Sequence, residues 1–347
     1  MASKNGRTGK SGRTTIVDVA RAAETSVASA SVALRGEPGV SERTRARILE
    51  VAERLGYQPD QRARLLREQK SRLLGVTFSV HQTFHAQVVE HLYRAADARG
   101  YGLVLSATTP GRAEPEAVGN LLRDRCETLI LVSPEISEQR LAELTTRASV
   151  VTIGSDLRVD GVDSLRSDDR QGITDAVAHL VGLGHRAITY VDGGAVVMGR
   201  TRRDAYLDAM RAHGLEPRAI SGSPTEESGV DIATRMLGGA GPLPTAILAH
   251  NDMIAIGVLL TLRAGGVAVP DDVSVVGYDD TRMAALASIR LTSVSQDAAR
   301  LAETAVERAV LRVENPAEAT EIVTPAKLVV RETSAPPQPS REKTPSR

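Results

Sequence analysis

The chain has 347 residues, one cysteine, no tryptophan and a formal net charge of zero. This length is enough for more than one domain, whereas a single cysteine excludes an internal disulfide and suits a reducing compartment. The charge is unevenly spread, because residues 1–72 contain 15 Lys and Arg against 8 Asp and Glu, and the remainder contains 28 against 35. A basic first part on an acidic remainder predicts a polyanionic partner for the first part alone.

The two ends of the chain are predicted to be disordered tails. Residues 1–13 are basic and rich in Gly and Ser, and residues 334–347 are rich in Pro and charged side chains. The first tail has no apolar core segment and so does not predict a secretion signal. No run of about 18 apolar residues predicts a membrane span. We therefore expect a cytoplasmic protein without a membrane partner, and the sequence indicates neither a cofactor nor a metal site.

Residues 14–60 predict three short helices, and the first two have clear start and stop signals. Thr15 and Asp18 have the spacing of a capping box, in which the two side chains bond the free N–H groups of a helix start. Ser26 is a candidate cap for a second helix, which ends near Gly36. The second helix consists mainly of Val, Ala and Ser, which are small enough to lie against base edges.

The third helix has an apolar face and its own start and stop signals. Ser41 is its candidate cap and Gly56 its stop. The residues expected to recur on its buried face are Ile48, Leu49, Ala52 and Leu55. Two short helices joined by a tight turn, with a third packed behind them, form a helix-turn-helix DNA-binding domain.

This stretch resembles the DNA-binding head of the lactose/galactose repressor family of bacterial transcription regulators. The matching residues are Thr15, Ile16, Asp18, Val19, Ala20, Ser26, Ser31, Leu34, Gly36, Val40, Ser41, Thr44, Ile48, Leu55, Gly56, Tyr57 and Pro59. The resemblance continues to about Thr333 and therefore covers nearly the whole chain. It implies a sequence-specific regulator, more commonly a repressor, that binds a near-palindromic operator in double-stranded DNA as a homodimer and responds to a small-molecule effector.

We predict that the second helix reads bases through small apolar side chains, namely Val27, Ala28 and Val32, which can contact a thymine methyl. The residues predicted to hold phosphates or sugar edges are Thr15, Ser26, Ser29, Ser31 and Arg35. Two positions depart from the family pattern. Family members commonly carry an arginine where this chain has Val32 and a glycine in the turn where it has Glu24. A left-handed Glu24 would cost on the order of 1 kcal/mol.

Residues 61–71 favour a helix of about two turns after Pro59, and such a helix is marginal by itself. The resemblance implies a hinge helix that orders on operator DNA and contacts it through Ala63 and Leu66. The family's intercalating leucine falls on Leu66, where a pair of leucines from a dimer would wedge between base steps. The alternative is a plain linker in which Leu66 packs on the body.

From Leu73 onward, apolar strands alternate with helices, and this pattern predicts parallel sheets that helices cover on both faces. The expected strands are 73–80, 101–108, 128–133, 149–155, 162–167, 187–193, 245–251 and 274–280. The expected helices are 84–99, one ending near 123, 138–147, one ending at 183, 200–213, 226–237 and one ending at 263. These strands and helices are more than one ordinary sheet contains. The resemblance implies a periplasmic-binding-protein-like body of two α/β subdomains that share one cleft.

We expect this effector-binding domain over residues 72–333. Subdomain N would contain residues 72–166 and 297–324, and subdomain C would contain residues 167–296 and 325–333. Three chain crossings between the subdomains would form a hinge, so that the cleft can close on a ligand.

Ligands of such sheets bind at the carboxyl ends of the strands. The resemblance implies Arg202, Asn251 and Asp279 as effector-binding residues, and acceptors beside an Arg fork suit a small polar molecule such as a sugar. The further candidates at strand ends are Gln82, Phe84, Asp156, Ser167 and Gln296. The alternative is a structural role, for instance Asp252 as a helix cap.

Two further departures concern the ligand. An aspartate is usual where Gly154 stands, with Asp156 two residues away, and an aromatic that stacks on a sugar in some relatives falls on Pro224. A stacked sugar is therefore less firmly indicated than a polar effector in general.

Two other classes of protein use the same cleft. An enzyme is poorly supported, because Gly193-Gly194 lacks the spacing and lysine of a phosphate loop and His250 has no nucleophile motif with it. A solute-binding protein for transport would need a secretion signal and would not carry a basic helix-turn-helix head. Retention on DNA at low salt would separate the regulator from both alternatives.

Overall fold

The computed structural model describes residues 14–34, 36–57, 71–194, 196, 198–239, 241–314 and 318–338. The chain divides into two compact units, one up to Lys70 and one from Ser71 onward. The candidates Arg35, Ala63 and Leu66 and the predicted hinge helix lie outside the described residues, as do both chain ends. In the described part, no helix combines the length and apolar character needed to cross a membrane.

The first unit contains three helices, α1 (Ile16–Ala22), α2 (Val27–Leu34) and α3 (Glu42–Arg54). The predicted capping box is present, because the Asp18 carboxylate accepts the Thr15 N–H at 3.0 Å and Thr15 Oγ1 accepts the Asp18 N–H at 3.4 Å. Thr44 donates its N–H to Ser41 Oγ at 3.2 Å, which confirms the predicted start of α3. These caps satisfy N–H groups that have no partner within the helix.

The small core of this unit differs from the prediction in α3. Ile48, Val51 and Ala52 are buried, whereas Leu49 is 47% and Leu55 is 36% exposed. The prediction was wrong for the two leucines. Residues at i, i+3 and i+4 share one face of a helix, while Leu49 lies one residue, about 100° of rotation, from Ile48. Leu55 lies beyond the last helical residue, Arg54, as the C-cap of α3.

The second unit begins with a six-stranded parallel sheet. Its strands are β1 (Leu73–Ser79), β2 (Gly102–Thr108), β3 (Thr128–Val132), β4 (Ser149–Ile153), β5 (Val162–Ser167) and β11 (Glu321–Thr324), in the order β11-β5-β4-β3-β1-β2. Its helices are α4 (Thr83–Asp97), α5 (Glu114–Arg123), α6 (Glu138–Thr145) and α11 (Ala298–Glu314). Alternate residues of the strands face opposite sides, so α4 and α11 pack on one face and α5 and α6 on the other. We call this the first lobe.

A second six-stranded sheet has the same plan. Its strands are β6 (Ile188–Val191), β7 (Arg218–Ile220), β8 (Ala246–Ala249), β9 (Ser274–Asp279), β10 (Thr292–Ser295) and β12 (Lys327–Val329), in the order β12-β10-β9-β8-β6-β7. Its helices are α7 (Asp169–Gly182), α8 (Gly199–Ala212), α9 (Glu226–Gly238) and α10 (Asp252–Ala264). Helices α7 and α8 cover one face, and α9 and α10 cover the other. We call this the second lobe.

The chain passes from the first sheet to the second after Ser167, returns after Ser295 and passes again after Thr324. The last passage has only two residues between β11 and β12, which leaves no room for a crossover helix. For that reason β12 pairs with β10 in the antiparallel direction. The second sheet therefore differs from the prediction, which was a wholly parallel sheet.

Two glycines allow α9 and α10 to approach each other closely. A Cβ at Gly257 would lie 2.2 Å from the carbonyl oxygen of Glu226, and one at Gly229 would lie 2.3 Å from that of Ile254. These helices can therefore pack backbone against backbone only with glycine at both positions.

The segment after Thr333 is attached to the second lobe, so the predicted C-terminal tail begins later than residue 334. The Ser334 hydroxyl lies 3.0 Å from His179 Nε2, and Ala335 donates its N–H to Ser274 Oγ at 3.1 Å. The Pro-rich composition predicts disorder here, but residues 334 and 335 are bonded to the body, and Ala335 bonds Ser274 at the start of β9.

Candidate functional site

In the first unit, α2 presents small side chains on its surface. Val27 is 44% exposed, Ala28 is exposed and Val32 is half-buried. The hydroxyls of the same helix are used for its start, because Ser29 donates its N–H to Ser26 Oγ at 3.0 Å and the two hydroxyls lie 2.9 Å apart. The helix therefore offers an apolar patch with hydroxyls at one end.

The turn before α2 and the segment after it are held by specific contacts. Glu24 has φ +49°, the left-handed conformation considered above for a turn that usually contains glycine. After the helix, Arg45 donates to the carbonyl oxygens of Ala33, at 3.1 Å, and of Glu37. The orientation of α2 is thus fixed at both ends, as a helix that enters a groove requires.

In the second unit, a cavity of about 580 Å³ lies between the two lobes. Six of the eight predicted effector residues line it, namely Gln82, Phe84, Arg202, Asn251, Asp279 and Gln296. Asp156 and Ser167 are not among the described lining residues. Topology brings the six together, since each follows or begins an element at the carboxyl ends of the strands.

Arg202 on α8 is the centre of a buried network on the second lobe. Its Nε donates to Asp169 Oδ2 at 2.9 Å and its Nη1 to the His250 carbonyl oxygen at 2.8 Å. The guanidinium lies 3.7 Å from the centre of the Tyr278 ring, and its Nη1 is 3.7 Å from Asp279 Oδ1. A buried charge is tolerated only with such partners.

Three further bonds join this network to the chain crossings. Gln296 donates its amide to Asp279 Oδ1 at 2.6 Å, and Ser167 Oγ lies 2.9 Å from Gln296 Oε1. The Tyr278 hydroxyl donates to Asp169 Oδ1 at 2.6 Å. Ser167 is therefore one layer behind the cavity and orients Gln296, which lines it.

Asp279 has an unusual electrostatic and backbone environment. Burial raises its pKa to about 8, Arg202 acts in the opposite direction, and the charge of Asp252 raises it further. Its φ is +108°, a conformation that non-glycine residues rarely adopt. Such backbone conformations persist where the surrounding structure holds them, and they are enriched at ligand sites.

Asn251 and Asp252 have different tasks at the start of α10. Asn251 is the N-cap, because its Oδ1 accepts the Ile254 N–H at 3.0 Å, and its amide donates to the Pro224 carbonyl oxygen at 3.4 Å. The alternative in which Asp252 caps this helix is wrong, because Asn251 is the cap. Asp252 instead accepts the Thr281 N–H at 2.7 Å. Burial raises the pKa of Asp252 to about 6.

The first lobe contributes fewer connected groups. Gln82 donates its amide across the cleft to the Pro224 carbonyl oxygen at 3.2 Å, while Phe84 supplies a buried apolar wall. Asp156 is exposed and accepts from Thr201 Oγ1 of the second lobe at 3.2 Å. Gly154, with φ +68°, turns the chain after β4, and Asp156 comes to lie outside the cavity.

Several cavity residues were missed from the sequence. Asp169 and Tyr278 belong to the Arg202 network, and Glu114, Glu135, Glu226 and Glu227 line the cavity. Asp169 begins α7 two residues after the end of β5, so its place near a strand end was a usable signal. The four glutamates had no such signal, because acidic residues near helix starts are common on any surface. Within the described residues, no group of three His, Cys, Asp or Glu side chains could hold a metal ion.

Comparisons with known proteins cover both units. The model for bacterial regulatory proteins of the lacI family matches residues 15–60, and that for a periplasmic binding protein-like domain matches residues 177–334. Catabolite control protein A of Priestia megaterium is 30% identical over 290 residues, which are 81% of this chain and 87% of that protein.

Two solved structures are similar over most of the chain. A LacI transcriptional regulator from a Rhodococcus species is 41% identical with a TM-score of 0.74, and the match covers 77% of this chain and all of that one. The Lac repressor dimer bound to operator and the anti-inducer ONPF has a TM-score of 0.81 at 28% identity, over 93% of this chain and all of that one.

Proposed function

The chain belongs to the LacI family of bacterial regulatory proteins, and from this membership we propose that it is a homodimeric repressor whose operator affinity depends on a small polar effector in the cleft. It is a DNA-binding transcription regulator and not an enzyme, since its full-length relatives are transcription regulators. Its proposed place of action is the cytoplasm, where the bacterial chromosome lies. The matched Lac repressor structure is a dimer on operator DNA, which supports the proposed homodimer.

The observation that carries the effector role is the buried Arg202 network beneath the cavity. Its donors and acceptors are held in place by bonds to Asp169, Gln296 and Tyr278 within the protein itself. Preorganised polar groups in a cleft bind a small polar molecule without the cost of ordering flexible side chains. We propose Arg202, Asn251 and Asp279 as contacts on the second lobe, and Gln82 and Phe84 as contacts on the first lobe.

The proposed effector role is tested by a thermal-shift screen of sugars, nucleosides and purines on the full-length protein. Asp279→Ala should abolish the shift produced by the hit and its effect on operator binding, while operator affinity without ligand remains. Asp231→Ala, an exposed aspartate of α9 outside the cavity, is the control and should retain both. A ligand response that survives Asp279→Ala would refute the proposed contact.

For the DNA, we propose that Val27, Ala28 and Val32 contact base edges. Thr15, Ser26, Ser29, Ser31 and Arg35 are the proposed backbone contacts. Val27 is 44% exposed and Ala28 is also exposed, whereas Val32 is half-buried. Apolar contact in the major groove distinguishes thymine by its methyl group.

The chain offers a matched pair of valines for the test. Val27 on α2 and Val17 on α1 are 44% and 48% exposed, so truncation removes similar apolar surface from each. In selection from random DNA, Val27→Ala should change the preferred half-site, whereas Val17→Ala should leave it unchanged. Identical preferred sites for wild type and Val27→Ala would remove the base-reading role.

The hinge remains a proposal from the family resemblance. We propose that Ala63 and Leu66 contact the minor groove, with Leu66 as the wedge that bends the operator. Leu66→Ala should weaken binding to operator more than binding to random DNA, and it should reduce the bend measured by gel mobility. Equal losses on both DNAs with an unchanged bend would exclude the wedge.

A further inference from the structure

The charged side chains around the cavity are mainly acidic. Among the described lining residues, the carboxylates are those of Glu114, Glu135, Glu226, Glu227 and Asp279, and the guanidinium groups are those of Arg112 and Arg202. The described lining contains no lysine. Burial raises the pKa of Glu114, and it raises the pKa of Asp279 to about 8, so the negative charge of the lining comes mainly from Glu135, Glu226 and Glu227. A ligand that enters this cavity meets these three carboxylates against two guanidinium groups.

Both arginines already have partners within the protein. Arg202 is bonded to the buried Asp169 carboxylate at 2.9 Å and lies 3.7 Å from Asp279, so its guanidinium is already paired within the protein. Arg112 donates to Ser106 Oγ at 3.0 Å and to the Ala107 carbonyl oxygen, and its Nε is 3.6 Å from a Glu116 oxygen. Neither charge is left over to neutralise an anionic ligand.

Among the described helices whose first turns line the cavity, three of five already carry acidic residues there, namely α5, α9 and α10. The N-terminus of a helix carries partial positive charge and free N–H groups, which favour a phosphate or carboxylate. At the cavity, Glu114 begins α5, and Glu226 and Glu227 begin α9, so the protein's own carboxylates stand where such a group would bind. Only α4 and α8, among the helices whose first turns line the cavity, have no acidic residue there.

Two of the lining histidines add no positive charge. Burial lowers the pKa of His85 to about 4 and that of His250 well below its ordinary value. His85 Nδ1 accepts the Ser79 N–H at 3.0 Å, a bond that requires the unprotonated nitrogen. At neutral pH both rings are therefore uncharged.

We infer that the effector is a hydroxyl-rich molecule without a phosphate or carboxylate group, and that the cleft binds an amine-bearing sugar at least as tightly as its neutral counterpart. This inference rests on the proposed effector role of the cleft and narrows the chemical class of that effector. Hydroxyl and ammonium groups donate hydrogen bonds to carboxylates, whereas an anionic group would lie beside carboxylates without a free cation.

The test uses matched sets of sugars that differ in one charged group, titrated into the full-length protein at constant ionic strength. The sets are glucose, glucosamine, glucose 6-phosphate and glucuronate; galactose, galactosamine, galactose 6-phosphate and galacturonate; and cellobiose, its analogue with a single amino group and its monophosphate. Dissociation constants are measured by calorimetry, and DNA retention by the same preparation confirms that the protein is active.

In a set that contains a ligand, the dissociation constants of the acidic and phosphorylated members should be at least about tenfold higher than that of the neutral sugar. A tenfold ratio corresponds to roughly 1.4 kcal/mol. The amine should bind at least as tightly as the neutral sugar, and a weaker amine would contradict that part. Tightest binding by an anionic member would overturn the inference and leave the effector role intact. Failure of every member, with DNA binding retained, would reject both the sugar effector and the inference.

A variant separates the role of the carboxylates from sugar fit. Glu135→Gln combined with Glu226→Gln keeps side-chain size but removes two negative charges from opposite walls. This double variant should reduce the gap, that is, the ratio between the dissociation constants of the anionic and the neutral sugars. Glu303→Gln, an exposed position on α11 outside the cavity, is the matched control and should leave the gap unchanged. A gap unaffected by the double variant would show that shape, not charge, excludes the anions.

Discussion

The two lobes contribute polar groups to the cleft in different ways. In the second lobe, Asp169, Arg202 and Asp279 are each more than nine-tenths buried and lie within one connected set of bonds and contacts. In the first lobe, Glu135 is exposed and Gln82 is half-buried. Neither of these side chains bonds another side chain among the described residues. The second-lobe wall is thus one connected network, whereas the polar groups of the first-lobe wall are held by separate local bonds, such as Thr77 Oγ1 to Glu114 Oε1 at 3.0 Å and Arg112 to Ser106 Oγ at 3.0 Å.

This difference suggests a division of labour between the lobes. A prearranged wall can select a ligand by geometry, because its groups cannot shift to accommodate a poor fit. The opposite wall reaches across the cleft by single bonds, such as Gln82 to the Pro224 carbonyl oxygen at 3.2 Å and Thr201 to Asp156 at 3.2 Å. Such bonds can break and re-form when the lobes move about the three chain crossings.

The largest effect should follow loss of the cation in the second lobe. Arg202→Met would leave Asp169 buried without its counterion, and we expect a loss of about 3–5 kcal/mol in the free energy of unfolding of the body. Arg112→Met in the first lobe is the control. Because that side chain is 27% exposed, its loss should cost about 0–1 kcal/mol. Urea unfolding followed by fluorescence or circular dichroism measures both, and equal losses would contradict the difference between the lobes.

The next effect concerns the glycines that bring α9 and α10 together. Gly257→Ala places a methyl group 2.2 Å from a backbone oxygen, and we expect it to destabilise the body by about 3 kcal/mol. Gly119→Ala, inside α5 of the first lobe, meets only the end of Arg123 at 3.5 Å. It should stabilise the protein by about 0.5–1 kcal/mol, because alanine favours a helix over glycine. Opposite signs in the measured unfolding free energies are the expected result.

A smaller, pH-dependent effect should come from Asp279. Its pKa is about 8 in the folded protein and 3.8 ordinarily. Between these values the folded state keeps a proton that the unfolded state has lost, so this residue makes stability fall as pH rises. Asp279→Asn should remove that fall. The window from pH 6 to 8 is the informative one, because Asp252, with a pKa of about 6, titrates below it.

Denaturant midpoints of the wild type and Asp279→Asn at pH 6, 7 and 8 test this expectation. The two proteins should differ most at pH 8, where the variant is the more stable relative to the wild type. Glu135→Gln, at an exposed position of the first lobe, should follow the wild-type pH profile. Parallel profiles for wild type and Asp279→Asn would mean that Arg202 keeps Asp279 ionised throughout.

The smallest effect is expected for Gln82→Ala. The variant removes one half-buried amide bond across the cleft, and we expect a change of about 1 kcal/mol or less in the free energy of unfolding. Its effector affinity, once a ligand is in hand, should fall more than its stability does. A stability loss as large as that of Arg202→Met would show that the first lobe is connected to the network after all.

The sequence determined the local features of this protein. Start and stop signals at Thr15, Ser41 and Gly56 correctly delimited the helices of the head, because caps depend on residues three or four positions apart. The apolar runs of the body predicted most strands, because such a run is also a property of neighbouring residues. Four strands of three or four residues, β7, β10, β11 and β12, were missed, since they are too short for a period-two pattern. Helix α11 was not named as a helix, although a chain crossing was expected beside it.

Only the tertiary structure decided which distant residues meet in the cleft. Asp169, Arg202, Asp279 and Gln296 come from four separate segments, and strand order, not spacing along the chain, brings their side chains within bonding distance. The same holds for the acidic lining, because Glu114 and Glu226 belong to different lobes. Their common position follows from helices that begin at the same edge of two sheets, and contacts of that range leave no periodic trace in a single sequence.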